Sequence, residues 1–280
     1  MKKINFRNLL LIFILAITLV FTTGCQNKDK VIKVCASELP HADVLENCVA
    51  PILKEQGYTL KVYVLDWTLQ NSGVASKDYD ANYFQHIPFL ETYEGSTKLF
   101  ATCKVHYEPL GIYQGKSKGS LENGKTFAIC NDESNAVRAL ELLYQKGLID
   151  ELPVTSKGKL TFTKTDWTAP NGVKVTLIAE ELLVASMPDY DFVCLPCNTA
   201  YTGNVSQSKK VAEEDTLELV NGKANILTAR EKDYQNNEVY KTKIDVLTDA
   251  LLSQEVADYI NEKYGGAIVC NENTQIDLRK

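Results

Sequence analysis

Val31-Ile32-Lys33-Val34-Cys35-Ala36 is an extended apolar run, and the residues after it leave few architectures open. From His41 to Gln56, Val44, Leu45, Cys48, Val49, Ile52 and Leu53 recur at helical spacing, and Gly57 closes the segment. Leu60-Lys61-Val62-Tyr63-Val64-Leu65 then alternates as a second strand. Strand, helix, strand in that order implies parallel strands with a crossover helix, the repeating unit of α/β proteins. Asp80-Ala81-Asn82-Tyr83-Phe84 reads as a third strand end, leading into a helix after Pro88. Thr126 to Cys130 begins a second β-α pattern, whose helix starts at Ser134 or Asn135 and runs to Gly147. Residues 173–178, 192–195 and 224–229 read as further strands, and 246–264 as a final amphipathic helix. Lys104 to Tyr113 is strand-like but interrupted by Pro109 and Gly111, as a segment crossing between two units would be. The fold class expected is α/β, with two lobes around a cleft.

Ahead of this pattern stands a leader. Lys2-Lys3, a thirteen-residue apolar run from Leu9 to Phe21, and Thr22-Thr23-Gly24-Cys25 follow the order of an export signal that ends at a lipidation site. The run is short for an ordinary transmembrane helix, which needs about 20 apolar residues. Residues 1–24 are therefore expected to be removed, with Cys25 becoming an acylated first residue and 25–30 a polar tether. One acyl chain holds a membrane only marginally, so a multiply acylated terminus is what would make the anchor stable. The expected location is the extracytoplasmic face of the cell membrane.

Without Lys2, Lys3 and Arg7 the chain keeps 27 basic against 36 acidic residues, a net charge of −9. That balance argues against nucleic acid or an anionic lipid surface as the main partner. Cys25 aside, seven cysteines remain at 35, 48, 103, 130, 194, 197 and 270, an odd count that a closed disulfide set cannot use up. Those inside apolar runs read as small core hydrophobes.

Three segments carry candidate chemistry. Arg138 sits in the first turn of a helix, where the dipole favours acids, so an anionic ligand docked at that terminus would account for it. The alternative is a surface arginine paired with Asp132 or Glu133. Asp80 to His86 and His106-Tyr107-Glu108 bring aromatic, amide and imidazole groups to strand ends, where open α/β sheets bind ligands. His41, His86 and His106 together fit no zinc-site spacing, so no metal or cofactor is expected. Cys194-Leu195-Pro196-Cys197 has the form of a reactive thiol pair and keeps a thiol–disulfide oxidoreductase as the alternative from another class.

Ser37 to Leu45, Asp80 to His86 with Pro88, Lys104 to Tyr113, Asn131 to Leu140 and Asn225 to Arg230 occur in that order. Together they resemble the methionine-binding lipoproteins, the substrate-binding components of methionine ABC importers, over roughly residues 31–280. The resemblance implies a type II periplasmic-binding-protein fold, with residues 31–110 and 223–280 in one lobe and 111–222 in the other, joined by two crossover strands. It implies a non-enzymatic protein that captures methionine or a close analogue and delivers it to ABC permease and ATPase subunits. A binder of another small amino acid, or of a methionine-containing short peptide, is the alternative within the class. Position by position, Arg138 would hold the ligand carboxylate, and Asn198 and Asn225 its polar end. Tyr83, His86 and His106 would line the side-chain pocket, with Trp67 as a further wall. Two segments depart from the family pattern. Pro196-Cys197-Asn198-Thr199-Ala200 replaces Asn-x-Asn-Tyr-Ala, and Asp66-Trp67-Thr68-Leu69-Gln70-Asn71 replaces Asp-Tyr-x-x-Pro-Asn.

Overall fold

Strand–helix alternation yields two separate six-stranded sheets in the computed structural model, which describes residues 28–118, 120–121, 126–214, 222–265 and 267–279. The leader and Cys25 lie outside the described residues. The first sheet takes β1 (Val31–Ala36), β2 (Thr59–Val64), β3 (Ala81–His86) and β4 (Leu99–His106). The second takes β5 (Leu110–Gln114), β6 (Thr126–Cys130), β7 (Asp166–Thr168), β8 (Lys174–Ile178), β9 (Phe192–Pro196) and β10 (Lys210–Glu213). The chain then returns to the first sheet with β11 (Asn225–Arg230) and β12 (Ile276–Asp277). The strand orders are β12-β4-β11-β3-β1-β2 and β10-β5-β9-β6-β8-β7. The chain crosses from the first sheet at residues 107–109 and comes back after Glu214.

β1 runs parallel to both β2 and β3, and β6 parallel to both β8 and β9, so each lobe gathers the carboxyl ends of its central strands along one edge. β11 inserts antiparallel between β3 and β4, and this brings Asn225 into register with both His86 and His106. That single pairing sets much of the site described below.

Each sheet has its own core. Ile32 and Val34 of β1 pack with Val49, Leu53, Leu247 and Ile260, all fully buried. In the second lobe Phe127 and Phe192 stack with ring centroids 5.5 Å apart beside Ile129 and Leu140. The cysteines serve as apolar filler: Cys103 and Cys270 belong to the first core and Cys194 to the second, none of them in a disulfide. Burial pushes the thiols of Cys35, Cys103, Cys194 and Cys270 up to about 12.

The helices differ from the sequence expectation in three places. The helix expected over 41–56 begins as π-helical turns at Glu38–Ala42 and Leu45–Val49 before α1 (Ala50–Glu55). A helix with no expectation behind it, α2 (Trp67–Ala75), follows β2. Its buried side chains are Gln70, Asn71 and Val74, so it carries no apolar stripe to read. The C-terminal helix divides into α8 (Glu238–Leu251) and α9 (Gln254–Tyr264), because Ser253 adopts an extended conformation and caps the second piece. The intervening helices are α3 (Ile87–Leu90), α4 (Glu133–Gln145), α5 (Glu180–Ser186), α6 (Cys197–Thr202) and α7 (Glu231–Asn236).

Candidate ligand-binding site

A cleft opens between the facing strand ends. Ser37, Trp67 and His86, just beyond or at the ends of β1, β2 and β3, line it from the first lobe, with His41, Phe84, Gln85, Phe89 and Asn225. Asn135, Arg138, Glu180, Pro196 and Asn198 line it from the second lobe, and Glu108 from the crossing between them. The wall combines aromatic faces with a few converging polar groups, the makeup of a small-molecule site.

Arg138 is the sixth residue of α4, in its second turn and not in the first turn where the sequence placed it, because the helix begins earlier than expected. Asp132, rather than the expected Ser134 or Asn135, is the N-cap, and its Oδ1 accepts from the backbone N–H of Asn135 at 3.0 Å. Its Oδ2 also accepts from the Cys130 thiol at 2.8 Å. Asp132→Ala is expected to cost about 1 kcal/mol in urea unfolding, the usual worth of an N-cap. Arg138 is buried to 3% exposure, and its partner is neither Asp132 nor Glu133. Nε donates to Glu214 Oε1 at 2.8 Å and Nη2 to Glu214 Oε2, while Nη2 also donates to the Glu108 carbonyl at 2.7 Å. Glu214 Oε2 further accepts from Tyr107 Oη at 2.6 Å and from the Leu110 N–H at 2.9 Å. These bonds hold the Glu214 carboxyl below its ordinary range against the opposing effect of burial. On Arg138 these bonds engage Nε and Nη2.

His86 spans the cleft. Its Nδ1 accepts from the Phe89 N–H at 3.1 Å, capping α3, so Nε2 carries the proton and donates to Asn135 Oδ1 at 3.2 Å. Burial, and then the charge of Arg138, lower its pKa to about 3. Trp67 packs edge-on against Phe89, centroids 5.3 Å apart, and Phe84 meets the same ring at 5.8 Å. These three side chains form the apolar wall.

Tyr83 and His106 stand behind the cleft wall. Both are fully buried; Tyr83 Oη bonds His106 Nδ1, and His106 Nε2 donates to Glu108 Oε1 at 2.9 Å. His41 lies against both rings and bonds Asn225 Oδ1 through Nε2 at 3.2 Å. Burial lowers His41 to about 4 and His106 to about 3, and raises Glu108 to about 7. His41, His106 and Glu108 each bring one metal-ligating atom within 4.8 Å of the others, but as neutral imidazoles the two rings already bond the groups around them. Cys194 and Cys197 do not form a reactive pair: both are buried, Tyr113 Oη donates to Cys197 Sγ at 3.3 Å, and burial raises both thiols, the opposite of nucleophilic activation.

Of the residues that the sequence put forward, Trp67, His86, Arg138, Asn198 and Asn225 therefore reach the cleft, while Tyr83 and His106 support it. Phe84, Phe89, Asn135 and Glu180 reach it without having been singled out. Phe84 and Asn135 lie inside the segments that drew attention, whereas nothing about Glu180 distinguishes it from any other acid opening a helix.

Two α/β lobes joined by two crossings, with a cleft at their facing strand ends, define the type II periplasmic-binding-protein class. Residues 32–271 match the model of the NlpA lipoprotein family, and the chain belongs to that family. The methionine-binding lipoprotein MetQ of Bacillus subtilis is 34% identical over 96% of this chain and 98% of its own. Outer membrane lipoprotein 3 of Mannheimia haemolytica is 29% identical over 91% and 95%. Among solved structures, a nutrient-binding protein of Burkholderia cenocepacia bound to methionine superposes with a TM-score of 0.72, at 28% identity over 86% of this chain and 99% of that one.

Proposed function

We propose that this protein is a lipid-anchored, extracytoplasmic binder of methionine or a close analogue that serves an ABC importer and performs no catalysis of its own. The observation that carries this reading is the composition of the cleft. Arg138 and three asparagines, Asn135, Asn198 and Asn225, share it with a wall made by Trp67, Phe84 and Phe89. A thioether gains about 0.3–1.5 kcal/mol from each good aromatic contact, and a buried carboxylate and ammonium each need hydrogen bonds in place of water. The names of the relatives point the same way. In this reading Arg138 takes the ligand carboxylate, and Asn198 and Asn225 bind its polar end. Trp67 and His86 wall the side chain, with Tyr83 and His106 holding that wall from behind. Residues 31–110 and 223–280 close on 111–222, Cys25 carries the lipid, and the permease and its ATPase receive the cargo.

Thermal unfolding with and without ligand tests this. A ligand that binds only the folded state, present at 100 times its dissociation constant, adds about 2.7 kcal/mol, a rise of several degrees in Tm. Methionine is expected to give that rise. A rise with a different amino acid alone would move the specificity, with Trp67 and Pro196 the first residues to exchange. No rise with any amino acid or methionyl dipeptide would overturn the reading.

A further inference from the structure

Arg138 is already matched in charge by Glu214, and no lysine or other arginine is among the described residues that line the cleft. Glu180, in the first turn of α5, has its Oε1 bonded by Thr199 Oγ1 at 2.7 Å. The charged groups that act on it most are other carboxylates, those of Asp132, Glu108 and Glu181. Beside it, Asn198 Oδ1 is buried and finds no hydrogen-bond donor among the described residues. Glu180 and Asn198 line the main cleft and also an outer groove that adjoins it. A carboxylate in a first turn suits the helix dipole wherever it points, and exposed Glu181 already serves that end from the solvent side. The dipole therefore does not explain why Glu180 faces the cleft. A local excess of negative charge, next to an acceptor with nothing to accept, calls for a cation that carries N–H groups.

We propose that Glu180 is the counter-ion of the ligand's α-ammonium, with Asn198 Oδ1 taking a second of its N–H groups. This rests on the methionine reading and adds to it a residue that sets specificity. The cleft then reads a zwitterion from two ends, carboxylate at Arg138 and ammonium at Glu180, and rejects acids that lack the amine.

The test compares methionine with its des-amino analogue 4-(methylthio)butanoate by titration calorimetry, using the full-length chain in detergent micelles. Wild type is expected to prefer methionine by about a hundredfold or more, since a site built around a charged group rejects the ligand that lacks it. Glu180→Gln keeps the size of the side chain and an acceptor for Thr199. It is expected to weaken methionine by about tenfold or more and to leave the des-amino acid within about twofold, so that the preference collapses. Retained binding of the des-amino acid shows that the variant is folded; should it be lost as well, Glu180→Asp, which restores the charge, is expected to recover part of the preference. Methionine binding with an unchanged preference in both variants would overturn the assignment of Glu180 alone. No methionine binding by wild type would overturn the proposed function and this assignment with it.

Discussion

Arg138→Ala is expected to destabilise the unliganded protein by about 3–5 kcal/mol as well as to abolish methionine binding, because it leaves the Glu214 carboxylate buried without its cation. Glu214 is 5% exposed and would keep only the Tyr107 hydroxyl and the Leu110 N–H as donors. The two losses separate in a double variant. Arg138→Met with Glu214→Gln removes both charges at similar volume and should recover most of the stability, because well-packed neutral replacements of a buried ion pair are often tolerated. It should not recover binding. Urea unfolding gives the first quantity and calorimetric titration the second. An Arg138→Ala protein with unchanged stability would show that the pair is not formed in the free protein.

Acid is expected to destabilise the protein steeply below about pH 6.5. His41, His86 and His106 ordinarily titrate at 6.5, but in the folded chain they are held at about 4, about 3 and about 3. Between those limits the unfolded chain binds three protons that the native one refuses, so stability falls as pH falls, by about 1.4 kcal/mol per unit for each. Glu108 acts in the opposite sense. Its folded pKa of about 7 lies above the ordinary 4.5, so its contribution is complete below 4.5 and is lost as pH rises through 7. One proton of the three is thereby offset, and the net slope approaches about 2–3 kcal/mol per unit from pH 6.5 to 4.5. Denaturant unfolding at pH 7.5, 6.5, 5.5 and 4.5 measures it. A flat profile would mean that the native state protonates these rings in place.

The sequence made the parallel strands legible because their apolar runs are continuous and their boundaries carry turn residues. β1, β6 and β9 fall close to where the runs are. Elements without an apolar rhythm stayed hidden: α2 buries amides, and β7, β10 and β12 are short edge or outer pieces. At the site, the strand-end logic led to His86 and the helix-terminus argument to Arg138, while Asn225 came from the family resemblance alone. The sequence could not sort one shell from the next. Tyr83 and His86 lie three residues apart on one strand, yet one is inside the first lobe and the other on the cleft, because an odd spacing points strand side chains to opposite faces. Nor could it find the partner of Arg138. Glu214 is 76 residues away, and only the return crossing brings it there.

The Arg138 pair also fixes something larger than a ligand pose. Its guanidinium bonds the carbonyl of Glu108 on the outgoing segment and the carboxylate of Glu214 at the start of the returning one. Glu214 in turn fastens Tyr107 and Leu110. Both links between the lobes are therefore bolted to a single side chain, and that side chain also lines the cleft. Where Arg138 takes the proposed ligand, sensor and axle are one component, and occupancy of the cleft would bear directly on the two segments that join the halves.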